Sequence, residues 1–296
     1  MRHSPLTTEI SPDGRHPSGE GPRSGRGEVP VTRVGGLAGT RPPLAAPSIP
    51  DSVPLVAVAH GSRDPRAAAT VEALLDQVRL ARPDLPVRTA YLDHAAPTLG
   101  QALHGLREAA VLPLLLTEAY HSRVDLPAAL NEARARDPRL RVHYGTTLGP
   151  HPLLLAALER RLSESGVRPG DPDTAVVLVS AGSSDVRANA VIADLARLWS
   201  DGGQGRRAGW WRVVPAYASA AGPTPAEAVA ALRRAGAPRV AVAPYLLAPG
   251  FFADKVRRES GADVVADVLG PAPQLVDVVL ERYAEAFAAV AAAPVA

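Results

Sequence analysis

Short, unbroken apolar runs alternate with segments of helical period from residue 53 onward. Residues 54–60 (PLVAVAH) form the first run, continuous enough to predict a strand covered on both faces. Asp64-Pro65 then opens a helix, the aspartate as cap and the proline in the first turn. Val71, Leu74, Leu75 and Val78 follow on one helical face. Further strands are predicted at 87–92, 111–117 and 142–148, with helices at 97–106, 125–134 and 153–162. The alternation predicts a four-stranded parallel sheet flanked by helices.

The same order then returns. Strands are expected at 175–180, 212–217, 240–247 and 264–269, and helices at 188–198, 225–234, 254–259 and 275–288. The identities repeat as well as the pattern. His60-Gly-Ser-Arg-Asp-Pro-Arg66 aligns with Ala181-Gly-Ser-Ser-Asp-Val-Arg187, and Ala90-Tyr91 before Pro97-Thr98 aligns with Ala216-Tyr217 before Pro223-Thr224. Pro113-Leu-Leu-Leu116 aligns with Pro244-Tyr-Leu-Leu247, and Leu148-Gly-Pro150 with Leu269-Gly-Pro271. Ordered matches of this kind mark a duplication. The expectation is an α/β chain of two tandem homologous lobes, 51–165 and 174–292, joined through 164–173. Residues 200–207 read as an exposed loop, and residues 1–50 as a disordered Pro/Gly/Arg-rich tail too poor in apolar period to offset its ordering entropy.

Composition narrows the classes. Of 296 residues 46% are hydrophobic, enough for large cores, yet no run approaches the ~18 apolar residues of a membrane span. No signal-peptide pattern opens the chain, so a cytoplasmic protein is expected. The absence of cysteine excludes a disulfide framework, a thiolate metal site and a cysteine nucleophile. A net charge of +2, and aromatic residues at only 4%, argue against a nucleic-acid partner. Neither G-x-G-x-x-G after a strand nor a Walker lysine loop is present, and Ala59 stands where a histidine phosphatase would need arginine.

In a sheet of order 2-1-3-4 the first and third strands flank the switch point, beyond whose carboxyl ends functional groups gather. His60 ends the first strand and His121 follows the third. The second lobe carries Ala181 and Phe252 in their places, which implies one active lobe and one that walls a cleft. Two imidazoles, with Asp93 or Glu118 as a carboxylate neighbour, leave coordination positions open, as suits handling of Fe²⁺, Co²⁺ or Ni²⁺. Arg63, Arg66 and Arg123 flank the pair and would grip carboxylates. Ser62 and Ser122 would donate hydrogen bonds there. His151 either lines the same edge or caps the helix after it, while His94, His104 and His143 are weaker candidates.

The segments 60–66, Pro113-Leu-Leu-Leu116 with Tyr120-His121, Asp125-Leu-Pro127 and Leu148-Gly-Pro-His-Pro152 together resemble the CbiX-type sirohydrochlorin chelatases, class II chelatases, in their long two-lobed form, over about residues 53–290. The resemblance implies insertion of Co²⁺ or Fe²⁺ into sirohydrochlorin, toward cobalamin or sirohaem. It implies that His60 and His121 bind the metal and accept the pyrrole protons, and that Asp93 fills the family's acidic place after the second strand. The divalent metal is then a substrate, no organic cofactor is needed, no membrane is involved, and the chain acts as monomer or homodimer. A non-catalytic metallochaperone or tetrapyrrole carrier on the same fold is the competing reading.

Overall fold

The structure, a computed structural model, describes residues 53–118, 125–202 and 209–291, with side chains to residue 288. The expected tail at 1–50, most of the 200–207 loop, and His121, Ser122 and Arg123 lie outside those residues.

The first half runs β1 (Leu55–Ala59), α1 (Pro65–Ala81), β2 (Val87–Tyr91), α2 (Leu99–Leu103), β3 (Glu108–Pro113), α3 (Leu126–Arg136), β4 (Arg141–Tyr144), α4 (Pro152–Glu164). The second runs β5 (Thr174–Ser180), α5 (Val186–Ser200), β6 (Arg212–Tyr217), α6 (Pro225–Arg234), β7 (Arg239–Pro244), α7 (Phe251–Glu259), β8 (Val264–Val265), α8 (Pro273–Ala291). Two parallel four-stranded sheets result, ordered β2-β1-β3-β4 and β6-β5-β7-β8.

Local chemistry sets the elements. In α1 the Asp64 carboxylate accepts the Arg66 N–H and Pro65 occupies the first turn, while Val71, Leu74, Leu75 and Val78 are buried. Both β1 and β5 are buried along their whole length, and successive side chains divide between two cores. Leu55, Ala57 and Ala59 face inward and Val56 and Val58 face α2 and α3; Val176 and Leu178 face inward and Ala175, Val177 and Val179 face α6 and α7. The inner core is shared by both halves.

That inner layer is built by exchange. Helix α4 closes the first half of the chain, yet it packs against β7 of the second sheet; α8 closes the second half and packs on β3, β4 and α1 of the first. The Tyr283 hydroxyl on α8 donates to the Val53 carbonyl at 2.7 Å, and Arg161 Nη2 on α4 donates to the Leu269 carbonyl at 2.8 Å. Leu154, Leu155, Ala157, Leu158 and Leu162 give α4 a stripe wide enough to meet both α8 and the sheet.

The strand ends differ from the sequence reading. β3 is Glu108–Pro113 rather than 111–117, and β7 is Arg239–Pro244 rather than 240–247. Leu114–Leu116 and Tyr245–Leu247 are apolar because they line a cleft, not because they lie in a ladder. β4 and β8 are likewise shorter than expected, at Arg141–Tyr144 and Val264–Val265.

Candidate functional site

Each sheet has its switch point where the chain leaves the carboxyl ends of its two central strands, β1 with β3 and β5 with β7. The fold turns both switch points into one cleft of about 650 Å³, within the range of small-molecule sites. Its first wall holds His60–Ser62 after β1 and Leu114–Thr117 after β3; its second holds Ser180–Ser184 from the last residue of β5 onward and Tyr245–Phe252 after β7.

The His60 loop is shaped by its glycine. Gly61 has φ +93°, and a Cβ there would overlap the Asp93 carbonyl oxygen. That closeness lets the Asp93 N–H donate to the His60 carbonyl at 2.9 Å, pinning the end of β1 to the loop after β2. The second half repeats the device: Gly182 has φ +86° against the Ser219 carbonyl, whose N–H donates to Ala181 at 2.9 Å. Ala181 therefore occupies the His60 place, on the facing wall of the same cleft. Phe252, the residue aligned with His121, also faces the cleft.

The lining is chiefly apolar. Among the described lining residues there is no Asp, Glu, Lys or Arg, and His60 is the one basic side chain. Around it stand Ser62, Thr117, Ser180, Ser183 and Asn189. Ser62 Oγ accepts the Asp64 N–H at 3.0 Å, so its proton remains directed away from that bond. Asn189 bridges Ser183, its Oδ1 accepting the Ser183 N–H at 3.0 Å and its Nδ2 donating to the Ser183 carbonyl at 2.7 Å. Burial raises the phenols of Tyr91 and Tyr245 above their ordinary values, the Glu72 charge adding at Tyr91 and Arg282 opposing at Tyr245, so neither ionises near neutrality.

Other expected site residues are placed elsewhere. Asp93 touches the His60–Gly61 loop through its backbone, but its carboxylate accepts the His94 N–H at 2.8 Å and lies 3.1 Å from the His94 ring. Arg66, expected to grip substrate, instead joins the halves: Nη2 sits 2.6 Å from both Asp64 and Asp254 carboxylates, the latter on α7. Arg66 is not among the residues that line the cleft. His151 is the N-cap of α4 rather than a lining residue; Nδ1 accepts the Leu153 N–H at 3.2 Å, so its proton is on Nε2, 3.1 Å from Glu281. Arg63 and Glu118 are exposed, and Glu118 adds to burial in raising the Tyr144 phenol. His143 pairs with Glu108 at 2.7 Å, and His104 ends α2. Among the described residues no three His, Asp or Glu side chains converge as a metal cluster.

Sequence reading missed Asn189, Tyr245 and Phe251. The repeat held the signal: Ala68 aligns with Asn189, Leu114 with Tyr245 and Tyr120 with Phe251, so the second half departs where it faces the cleft.

A sirohydrochlorin cobaltochelatase of Priestia megaterium is 29% identical over 245 residues, 77% of this chain and 78% of that one. A sirohydrochlorin ferrochelatase of the same organism is 29% identical over 208 residues, 68% of this chain and 76% of that one. SirB from Bacillus subtilis, solved with Fe³⁺, shares the fold at a TM-score of 0.67 and 24% identity, covering 81% of this chain and 97% of that one. The CbiX family model matches residues 54–165 and again 175–286, one match for each sheet, and the chain belongs to the CbiX family.

Proposed function

We propose that this chain is a metal chelatase, a lyase that inserts Co²⁺ or Fe²⁺ into sirohydrochlorin. The observation that carries the reading is the position of His60: a lone basic side chain among the described lining, at the end of β1, on a switch point that opens into an apolar cleft of about 650 Å³. The relatives named for sirohydrochlorin chelation support the substrate.

The chemistry asks for two things. Metal must reach the ring nitrogens, and two N–H protons must leave them. A neutral imidazole does either, binding the metal through a ring nitrogen or taking a proton. In this reading His60 and His121 hold the metal with open positions, ring nitrogens replace first its water and then the imidazoles, and each imidazole, freed of metal, accepts one of the two released protons. An apolar lining keeps competing water few and strengthens each polar contact. Ser62 and Ser122 donate hydrogen bonds to the macrocycle, and Arg63 and Arg123 meet its carboxylates outside the lining. Asp93, beside the His60 carbonyl, orients the loop through its backbone. The second lobe contributes the facing wall and no ligand, since it carries Ala181 and Phe252. The same reading makes the metal a substrate, needs no organic cofactor, and places the protein in the cytoplasm as monomer or homodimer. Among the described residues no helix is long and apolar enough to cross a membrane.

The test is the visible spectrum of sirohydrochlorin mixed with Co²⁺ or Fe²⁺. Wild-type protein should speed the shift at least ~100-fold over the His60→Ala, His121→Ala double variant. Equal rates would sink the proposal. Stoichiometric tetrapyrrole or metal uptake without turnover would replace it with a carrier.

A further inference from the structure

Phenylalanine is scarce in this chain, with 3 in 296 residues, and two of them stand side by side on the second wall of the cleft. Their roles differ. Phe252 is half-buried and packs into the outer core of the second sheet. Phe251 is 71% exposed and lines the cleft, a large apolar ring kept in water. The two rings meet edge-to-face, 5.5 Å between centroids at 67°, so Phe252 supports one edge of Phe251.

The helix beneath them is anchored on two sides. The Asp254 carboxylate, in the first turn of α7, takes Arg66 of α1 at 2.6 Å, which ties Phe251 to the loop that carries His60. Lys255 Nζ, the sole lysine of the chain, donates to the Ala218 carbonyl at 3.0 Å and holds α7 to the end of β6. An exposed aromatic ring on the wall facing His60 is a platform for a flat, apolar-faced ligand.

We infer that Phe251 stacks on one face of the tetrapyrrole and so leaves the other face to His60, the second lobe thereby choosing the face at which metal enters. The inference rests on the proposed chelatase reading and names a binding residue that reading does not contain. It also explains why a lobe without metal ligands forms half the cleft: its contribution is the ring that orients the substrate.

The test compares Phe251→Ala, Phe251→Leu and Phe251→Trp with wild type. Metal-free sirohydrochlorin is titrated into each and followed by its visible absorption and induced circular dichroism; KM, kcat and calorimetric Co²⁺ binding are then measured. Stacking predicts that Phe251→Ala weakens tetrapyrrole binding and raises KM by ~10-fold, with kcat changed less than about twofold and Co²⁺ binding unchanged. Phe251→Leu, which keeps bulk without a π face, should behave as the alanine variant, and Phe251→Trp should restore binding. Thermal melts should be unchanged, because the ring is exposed in the folded chain. Unaltered tetrapyrrole affinity in Phe251→Ala, or full affinity in Phe251→Leu, overturns the stacking role while leaving the chelatase reading intact. A wild-type protein that does not bind sirohydrochlorin overturns both.

Discussion

At the scale of single residues, Gly61 and Gly182 carry the same backbone device with unequal consequences. A Cβ at either would press on a carbonyl oxygen, Asp93 in one case and Ser219 in the other, at a positive φ that an L side chain resists. Gly61→Ala and Gly182→Ala should each cost about 2–3 kcal/mol in urea unfolding. Their effects on chelation should diverge: Gly61→Ala displaces His60 and should lower kcat, while Gly182→Ala displaces Ala181 and should leave kcat near wild type. Equal losses of kcat would mean the two loops share the chemistry. The place of His60 was legible in the sequence because it depends only on where a strand ends, and the run 54–60 shows that. Arg66 and His151 were not. Their partners, Asp254 and Glu281, lie far along the chain, and no local pattern announces which charges a fold brings together.

At the scale of elements, the sequence showed the number and order of strands better than their ends. The run Val-Leu-Pro-Leu-Leu-Leu from residue 111 is apolar throughout, but its ladder stops at Pro113 and the leucines after it line the cleft. Periodicity reports burial, and a cleft wall hides from water much as a core does. Tyr245 marks the same boundary in the second half, where its buried hydroxyl donates to the Leu116 carbonyl at 3.2 Å and ties the two walls together. Tyr245→Phe should cost about 1 kcal/mol by denaturant unfolding. The Arg66–Asp254 pair joins α1 to α7 in the open, where ion pairs contribute little. Asp254→Asn should therefore leave global stability within about 1 kcal/mol while quickening amide exchange in the first turn of α7. The Arg66 hydrogen bond holds the Asp254 carboxyl below its ordinary value. A lowered carboxyl contributes above the unfolded-state value and loses that contribution as pH falls, so the wild-type turn should loosen only below about pH 4. Loosening near neutrality would contradict the pairing.

At the scale of the whole molecule, the duplication was legible as two sets of matching segments, but the exchange of α4 and α8 was not. An apolar stripe says that a helix is covered, not which sheet covers it. Since the inner core is continuous across both halves, calorimetry should show a single unfolding transition. Leu158→Ala, inside that core, should lower stability by about 2–5 kcal/mol without splitting the transition. Two separated transitions would mean that the halves fold alone. Residues 53–165 expressed by themselves lack α8 and should expose the α4 stripe, bind hydrophobic dyes and self-associate on size-exclusion chromatography. Supplying residues 174–292 in trans should rescue them.

The exchanged helices also bear on how such a chain can change over generations. A duplicated half, such as the one with Ala181 in the place of His60, is ordinarily free to be lost. Here the same half supplies α8, which closes the core over its twin, and it receives α4 in return. Deleting either copy would uncover the core of the other. Inheritance must therefore keep both, and substitutions that leave the shared helices intact are free to reshape either wall of the cleft.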